Sequence, residues 1–261
     1  MQADILSAEE IKKYLTKERK NNIAVFDTVD STNTILKNWC AEGKARPGDC
    51  VTADCQTKGR GRRGKRFESD KRVGIYLSFL LGTGDATPDE ISEITAWGAV
   101  AVRRAIEKVC HAGSKIKWVN DIVCGRMKIC GILTEAITDF ESGQITNIVV
   151  GIGINCSCED FPDEIQGIAG GIPGSYSKNA LAAEVVNQLL DIASNIEARD
   201  FIDEYRQSSM VIGKNINVIK TGREPAAAFA EDIDSNGALI VRYPDGTREA
   251  LTTGEVSIRL R

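Results

Sequence analysis

Histidine is nearly missing from this 261-residue chain, with His111 its only copy, and none of its eight cysteines stands in a Cys-x-x-Cys pair. Those two shortages exclude zinc-finger and zinc-ribbon spacing, and no metal-ligand set is expected. No apolar run reaches eighteen residues, which excludes a membrane-spanning helix, and no basic flank with an apolar signal segment opens the chain. Cys40, Cys50, Cys55, Cys110, Cys124, Cys130, Cys156 and Cys158 are scattered through expected helices and strands. That scatter reads as reduced thiols in a cytoplasmic protein, with Cys156 and Cys158 as packing residues. Basic charge is also short overall, 33 residues against 37 acidic, for a net −4. A general nucleic-acid or membrane-surface binder is therefore not expected, although a local basic patch remains open.

What is present suffices for a packed core. A chain with 42% hydrophobic residues at this length buries most of its surface without staples. Ser7-Ala8-Glu9-Glu10 forms a capping box ahead of Ile11, Tyr14 and Leu15, which share a helical face. Strands are expected at 23–26, 50–55, 74–81, 116–119, 121–124, 128–137 and 145–154. Helices are expected behind the N-cap-rich Asp30-Ser31-Thr32-Asn33, after Pro88 to about Val109, and as one long helix from Lys178 to Tyr205. Past Gly213 three turn signals, Gly222–Pro225, Ser235-Asn236-Gly237 and Pro244-Asp245-Gly246, punctuate short strands. This texture predicts a small barrel from 212 to 261 behind a larger domain of 1–211. Irregular mixing of helices and antiparallel strands predicts an α+β class with a mixed or antiparallel sheet and flanking helices.

The oddest stretch is Lys58–Arg72. Eight basic side chains against two acidic ones give it a net +6 in fifteen residues of an acidic protein. Gly59-x-Gly61-x-x-Gly64 imitates a dinucleotide fingerprint, but no helix is expected directly behind it. Gly59-x-x-x-x-Gly64-Lys65 imitates a phosphate loop, but Arg66 stands where Ser or Thr must hold Mg²⁺. What remains is an anion trap: glycines allow close backbone approach and guanidinium forks pair with carboxylate or phosphate. A solvated basic loop and an RNA contact are the competing readings. Lys117-Trp118-Val119-Asn120-Asp121 and Lys128-x-x-Gly131 follow, with Lys128 either guarding a sheet edge or reaching into a cleft. Val149–Asn155 is an apolar strand carrying Gly151 and Gly153, where close approach to the backbone is expected.

Taken together, Asp30-Ser31-Thr32-Asn33, Gln56-x-x-Gly59-Arg60-Gly61-Arg62-Arg63-Gly64, Lys117-Trp118-x-Asn120-Asp121, Lys128-x-x-Gly131-Ile132-Leu133-x-Glu135 and Gly151-x-Gly153-x-Asn155 resemble the biotin protein ligases in order and spacing. The textures at Asp234–Leu239 and Gly254–Arg259 resemble that family's small SH3-like barrel. The resemblance implies a two-step, ATP- and Mg²⁺-dependent ligase. It would form biotinyl-5′-AMP and pass biotin to a lysine of the biotin carboxyl carrier domain of a biotin-dependent carboxylase. By motif position, Lys128, Arg60 and Arg62 would be catalytic. Ser31, Thr32, Asn33, Gln56, Gly59, Arg60, Gly61, Arg62, Lys128, Gly131 and Gly151 would bind biotin. Arg62, Arg63, Phe67, Lys117, Asn120, Lys128 and Asn155 would bind ATP. Val119 replaces a common family proline, and Phe67 stands where the family commonly stacks a tryptophan on adenine.

Only about twenty residues precede Ile23, so a dedicated ligase without an operator-DNA-binding domain is expected. A lipoate or octanoyl ligase or transferase is the nearest rival. A homodimer paired through a strand such as 144–150 is possible, though an apolar strand is more often internal.

Overall fold

The computed structural model describes residues 4–16, 22–70, 73–86, 90–139, 141–157, 161–194, 200–252 and 256–260. Strands β1 (Ile23–Phe26), β2 (Cys50–Ala53), β3 (Gly74–Ala86), β4 (Lys115–Lys117), β5 (Asp121–Cys124), β6 (Met127–Thr138) and β7 (Ile145–Asn155) form one sheet in the order β1-β2-β3-β7-β6-β5-β4. Only β1 and β2 run parallel. A parallel pair needs a crossover, and helix α2 (Thr32–Ala41) lies in it. The mixed sheet with flanking helices agrees with the expected class. β7 lies between β3 and β6, so residues 145–155 offer no free edge to a second subunit.

Alternation along the central strands sorts the sheet into two faces. Ile75, Leu77, Phe79, Ile132, Ile148, Val150, Ile152 and Ile154 join the main core. There they meet α3 (Glu90–Cys110), whose Gly98 lies against Val150 and Ile132, and α4 (Lys178–Ala193). Leu80 and Val149 face the other way and pack with Leu36 of α2 and Val51. Ser78, Gly131, Glu135, Gly151 and Gly153 share the parity of that second face, where α2 covers only part of the sheet.

Three local readings change. The expected long helix is two, α4 and α5 (Asp200–Gln207). Both pack on α3; a straight 178–205 helix would run about 42 Å, beyond the roughly 32 Å that α3 spans. In α1 (Ala8–Lys13) Ser7 Oγ accepts from the Glu10 amide, but the Glu10 carboxylate takes Lys13 Nζ at 2.5 Å instead of closing the box. Tyr14 caps that helix and stands exposed, leaving Ile11 as its buried anchor. The strand expected at 116–119 ends at Lys117, because Trp118–Asn120 turn the chain into β5.

Strands β8 (Asn215–Lys220), β9 (Ala226–Ile233), β10 (Leu239–Arg242), β11 (Arg248–Leu251) and β12 (Val256–Leu260) form a separate antiparallel sheet, ordered β11-β10-β9-β8-β12. Each of the three expected turns contains a positive-φ glycine, Gly222, Gly237 or Gly246. This small sheet and its β9–β10 turn meet the larger part through the β4–β5 turn, where Trp118 Nε1 donates to Gly237 O at 3.0 Å, and through α5, where Arg206 Nε donates to Ile233 O at 2.9 Å. Cys158, Lys71, Arg72, Gly254 and Glu255 lie outside the described residues. None of the seven described cysteines is in a disulfide, and no described helix is long and apolar enough to cross a membrane.

Candidate active site

A cavity of about 200 Å³ opens where α2 leaves the sheet uncovered. Its floor is made by strand glycines that other side chains use. A Cβ on Gly151 would lie 2.3 Å from Asn33 Oδ1, and one on Gly153 would lie 2.5 Å from the Phe67 ring. Bare backbone is therefore required for α2 and for the basic loop to reach the sheet. The gap over Gly131 is shared by Phe67 and Lys128, so these glycines already receive side chains of the chain itself.

One end of the cavity is a chain of neutral polar groups. Gln56 Oε1 accepts from the Thr32 amide at 2.9 Å and from Thr32 Oγ1 at 3.1 Å. Gln56 Nε2 donates to Ser69 Oγ at 3.1 Å. Beneath them the fully buried Ser78 Oγ lies 2.8 Å from Thr32 Oγ1 and donates to Asn33 Oδ1 at 2.5 Å. Ser31, Thr32 and Asn33 are all buried, and Ser31 occupies the N-cap of α2 without a side-chain capping bond.

The other end is cationic. The basic loop folds back on itself: the Gly61 amide donates to Lys65 O at 2.7 Å and the Phe67 amide to Gly59 O at 3.1 Å. Arg63 takes left-handed φ at its tip, within a single 3-10 turn (Arg62–Gly64). With no helix opening behind the glycines, the dinucleotide-fingerprint reading falls away. Four of the cations meet oxygen partners. Arg60 donates to Glu135 Oε2 at 3.1 Å and to Thr34 Oγ1 at 3.0 Å. Arg62 donates to Asn120 Oδ1 at 3.3 Å, and Lys128 Nζ stands 2.7 Å from Asp121 Oδ1. Arg63 reaches Thr221 Oγ1, just past β8, at 2.8 Å. Burial lowers the Arg62 pKa, and the nearby Asp121 charge opposes the shift.

Lys128 is no edge guard. Its amide donates to Ile168 O and its carbonyl accepts from Gly170, while Nζ turns into the cavity. All site residues expected from the sequence line the cavity except Gly59, Lys117 and Asn155. Gly59 serves loop closure, since its Cβ would lie 2.4 Å from Phe67 O. Lys117 pairs with Asp121 across β4 and β5, and buried Asn155 sits behind Lys128, donating to its carbonyl at 3.5 Å.

Ser78, Asp121, Glu135 and Lys37 were not among the expected site residues. Asp121 and Glu135 belong to recognised motifs without a role there, and Ser78 shows itself only as a polar residue between the inward Leu77 and Phe79. Glu135 collects Asn33 Nδ2 at 2.6 Å, Lys37 Nζ at 2.9 Å and Arg60. Burial pushes its pKa up, but those hydrogen bonds and the two cations outweigh it and hold the carboxyl below its usual range.

Comparison with known proteins locates this arrangement. Residues 25–155 match the model of the biotin/lipoate A/B protein ligase family, and residues 211–259 match the biotin protein ligase C-terminal domain. The bifunctional ligase/repressor BirA of Bacillus subtilis is 28% identical over 254 residues, covering 94% of this chain and 77% of that protein. The biotin–[acetyl-CoA-carboxylase] ligase of Mycobacterium tuberculosis is 27% identical, with 87% of this chain and 85% of that protein covered. In fold, the biotin protein ligase of Aquifex aeolicus solved with biotin and ATP superposes with a TM-score of 0.77 at 23% identity, covering 92% of this chain and 99% of that one.

Proposed function

The chain belongs to the biotin/lipoate A/B protein ligase family, and on that premise we propose that it is a biotin protein ligase. It activates the carboxylate of biotin with ATP, forming biotinyl-5′-AMP and releasing pyrophosphate. It then passes the acyl group to a lysine amine of a biotin carboxyl carrier domain, and AMP leaves.

The observation that carries the reading is the meeting of five distant sequence blocks around one cavity with a polar end and a cationic end. Biotin's ureido ring needs paired donors and acceptors once it leaves water, and Thr32, Gln56 and Ser31 offer both kinds. Its carboxylate must approach the α-phosphate against like charge, which fixed cations offset as more charge develops in the in-line displacement. Lys128 would bridge those oxygens. Arg60 and Arg62 would close over the adenylate, with Arg63, Phe67 and Asn120 toward the nucleotide. Asn155 and Lys117 would act from behind, by holding Lys128 and the Asp121 turn. The cavity is smaller than the roughly 300–1,000 Å³ of sites that take drug-sized ligands, so the loop has to move outward to admit two substrates.

Mg²⁺ would enter as MgATP, a substrate, with the nucleotide phosphates supplying its ligands. We place the catalytic part at 1–211 and an SH3-like barrel at 212–261. Free thiols throughout the described cysteines support a cytoplasmic setting for the reaction. The basic charge is gathered at the cavity of a chain whose net charge is −4, so operator DNA is not proposed as a partner. A dimer would need a surface other than β7.

A lipoyl or octanoyl substrate fits less well, because an apolar acyl head makes no hydrogen bond to the polar groups of the Thr32–Gln56 end. Pyrophosphate release from ATP tests the reading: it should depend on biotin and not be supported by lipoate or octanoate. Release supported by octanoate alone would favour the rival.

A further inference from the structure

Glu135 stands where three parts of the site meet. It projects from β6 on the cavity face, and its side chain is 23% exposed. One oxygen, Oε2, accepts from Asn33 Nδ2 at 2.6 Å and from Arg60 Nη2 at 3.1 Å. The other, Oε1, accepts from Lys37 Nζ at 2.9 Å. A carboxylate offers about four lone-pair directions, so this one is largely committed to α2 and the basic loop.

Two consequences follow from the chemistry. Asn33 is read at both ends: Ser78 donates to its Oδ1 while Glu135 accepts from its Nδ2, which fixes the orientation of the amide against Gly151. Arg60 and Lys37 flank a single negative charge, so without it two cations would face each other in a half-buried setting and separate. Arg60 leads the loop, two residues ahead of Arg62. A hydrogen-bonded path therefore runs from Gln56, which accepts from the Thr32 amide, through the Thr32 and Ser78 hydroxyls and Asn33 to Glu135 and Arg60, with the Thr32 proton turned to Ser78 and the Ser78 proton to Asn33.

We propose that Glu135 is a positioning residue that couples the polar end of the cavity to the pose of the basic loop, acting through Arg60. The proposal rests on the biotin ligase reading for its substrate, and on the structure alone for its geometry.

A double-mutant cycle tests it with the full-length protein. Glu135→Gln should raise the KM for biotin roughly tenfold, the scale of a lost charge-assisted hydrogen bond, while kcat changes little. Arg60→Gln, which also loses the arginine's own contacts to substrate, should raise KM at least as much and lower kcat, and the double variant should be no worse than Arg60→Gln alone, because Glu135 acts through Arg60. Multiplying effects, or a Glu135→Gln enzyme with wild-type KM, would overturn the proposal. Should Glu135→Gln fail to fold, Glu135→Asp keeps the charge but shortens its reach to Arg60 and should raise KM about two- to threefold, with no added effect in Arg60→Gln. An unchanged KM there would count equally against it.

Trypsin cleavage within 60–66 separates the two levels of the argument. Without any substrate, Glu135→Gln (or Glu135→Asp) should be cut faster than wild type; equal rates would overturn the positioning role even in an active ligase. Wild-type protein that releases no pyrophosphate would sink the functional reading instead, and leave the cleavage comparison to decide the geometry.

Discussion

Lys128 Nζ lies 2.7 Å from Asp121 Oδ1 and 5.8 Å from the centroid of the Phe67 ring, inside the cavity that all three residues line. An aspartate thus pairs with the lysine that a substrate anion would compete for. Lys128→Ala should leave folding nearly intact, since the pair is partly exposed and such pairs are worth about 0–1 kcal/mol. Biotin-dependent pyrophosphate release should fall by orders of magnitude. A near-normal rate in a variant with an unchanged melting curve would remove Lys128 from the chemistry.

Arg62 ties the basic loop to Asn120, whose Nδ2 in turn holds Ile132 O at 2.8 Å. Arg62→Gly cuts that tie and adds backbone freedom at the loop tip. Biotinyl-AMP should escape faster, and lysines on bystander proteins should become labelled. The check is the dissociation rate of the intermediate together with blotting for stray biotin; unchanged retention would contradict the account.

Ser78 is fully buried beneath the polar end. Ser78→Ala leaves Asn33 Oδ1 without its donor, which should destabilise the fold by about 1–3 kcal/mol. Biotin affinity should weaken as well, because Thr32 and Asn33 lose a common anchor. Urea unfolding and isothermal titration measure the two effects, and a variant matching wild type in both would show the hydroxyl to be idle.

Most of this was legible in the sequence, for reasons that differ by element. Residues in unbroken local patterns, such as Ile23–Phe26 and Asp121–Cys124, form the strands their periodicity predicts. The end of α4 at Ala193 has no such local mark, since no Gly or Pro follows it before α5. The cavity residues were assigned from the resemblance of their motifs to those of the biotin protein ligases. Their partners were not, since Ser78 and Glu135 act through contacts 45 and 102 residues away in sequence. A glycine in a strand signals close approach but not what approaches, and here Phe67 and Asn33 do.

Away from the site, the first residue of α4 is buried as an ion. Lys178 Nζ pairs with Asp54 Oδ1 at 3.1 Å, with side chains 9% and 3% exposed. Lys178→Met strands the carboxylate and should cost about 3–5 kcal/mol, whereas Lys178→Met with Asp54→Asn should recover much of it. Denaturant midpoints decide the matter; equal losses in both variants would mean that the cost is one of packing.

The central claim is that one cavity joins the biotin carboxylate to the α-phosphate of ATP before any lysine is touched. Biotin carrying heavy oxygen in its carboxylate tests this directly, read out by mass spectrometry of the AMP released when a carboxyl carrier domain is biotinylated. Attack of the carboxylate on the α-phosphate predicts one labelled oxygen in each AMP, together with one biotin on the acceptor lysine. AMP without label, or an acceptor modified without AMP release, would contradict it.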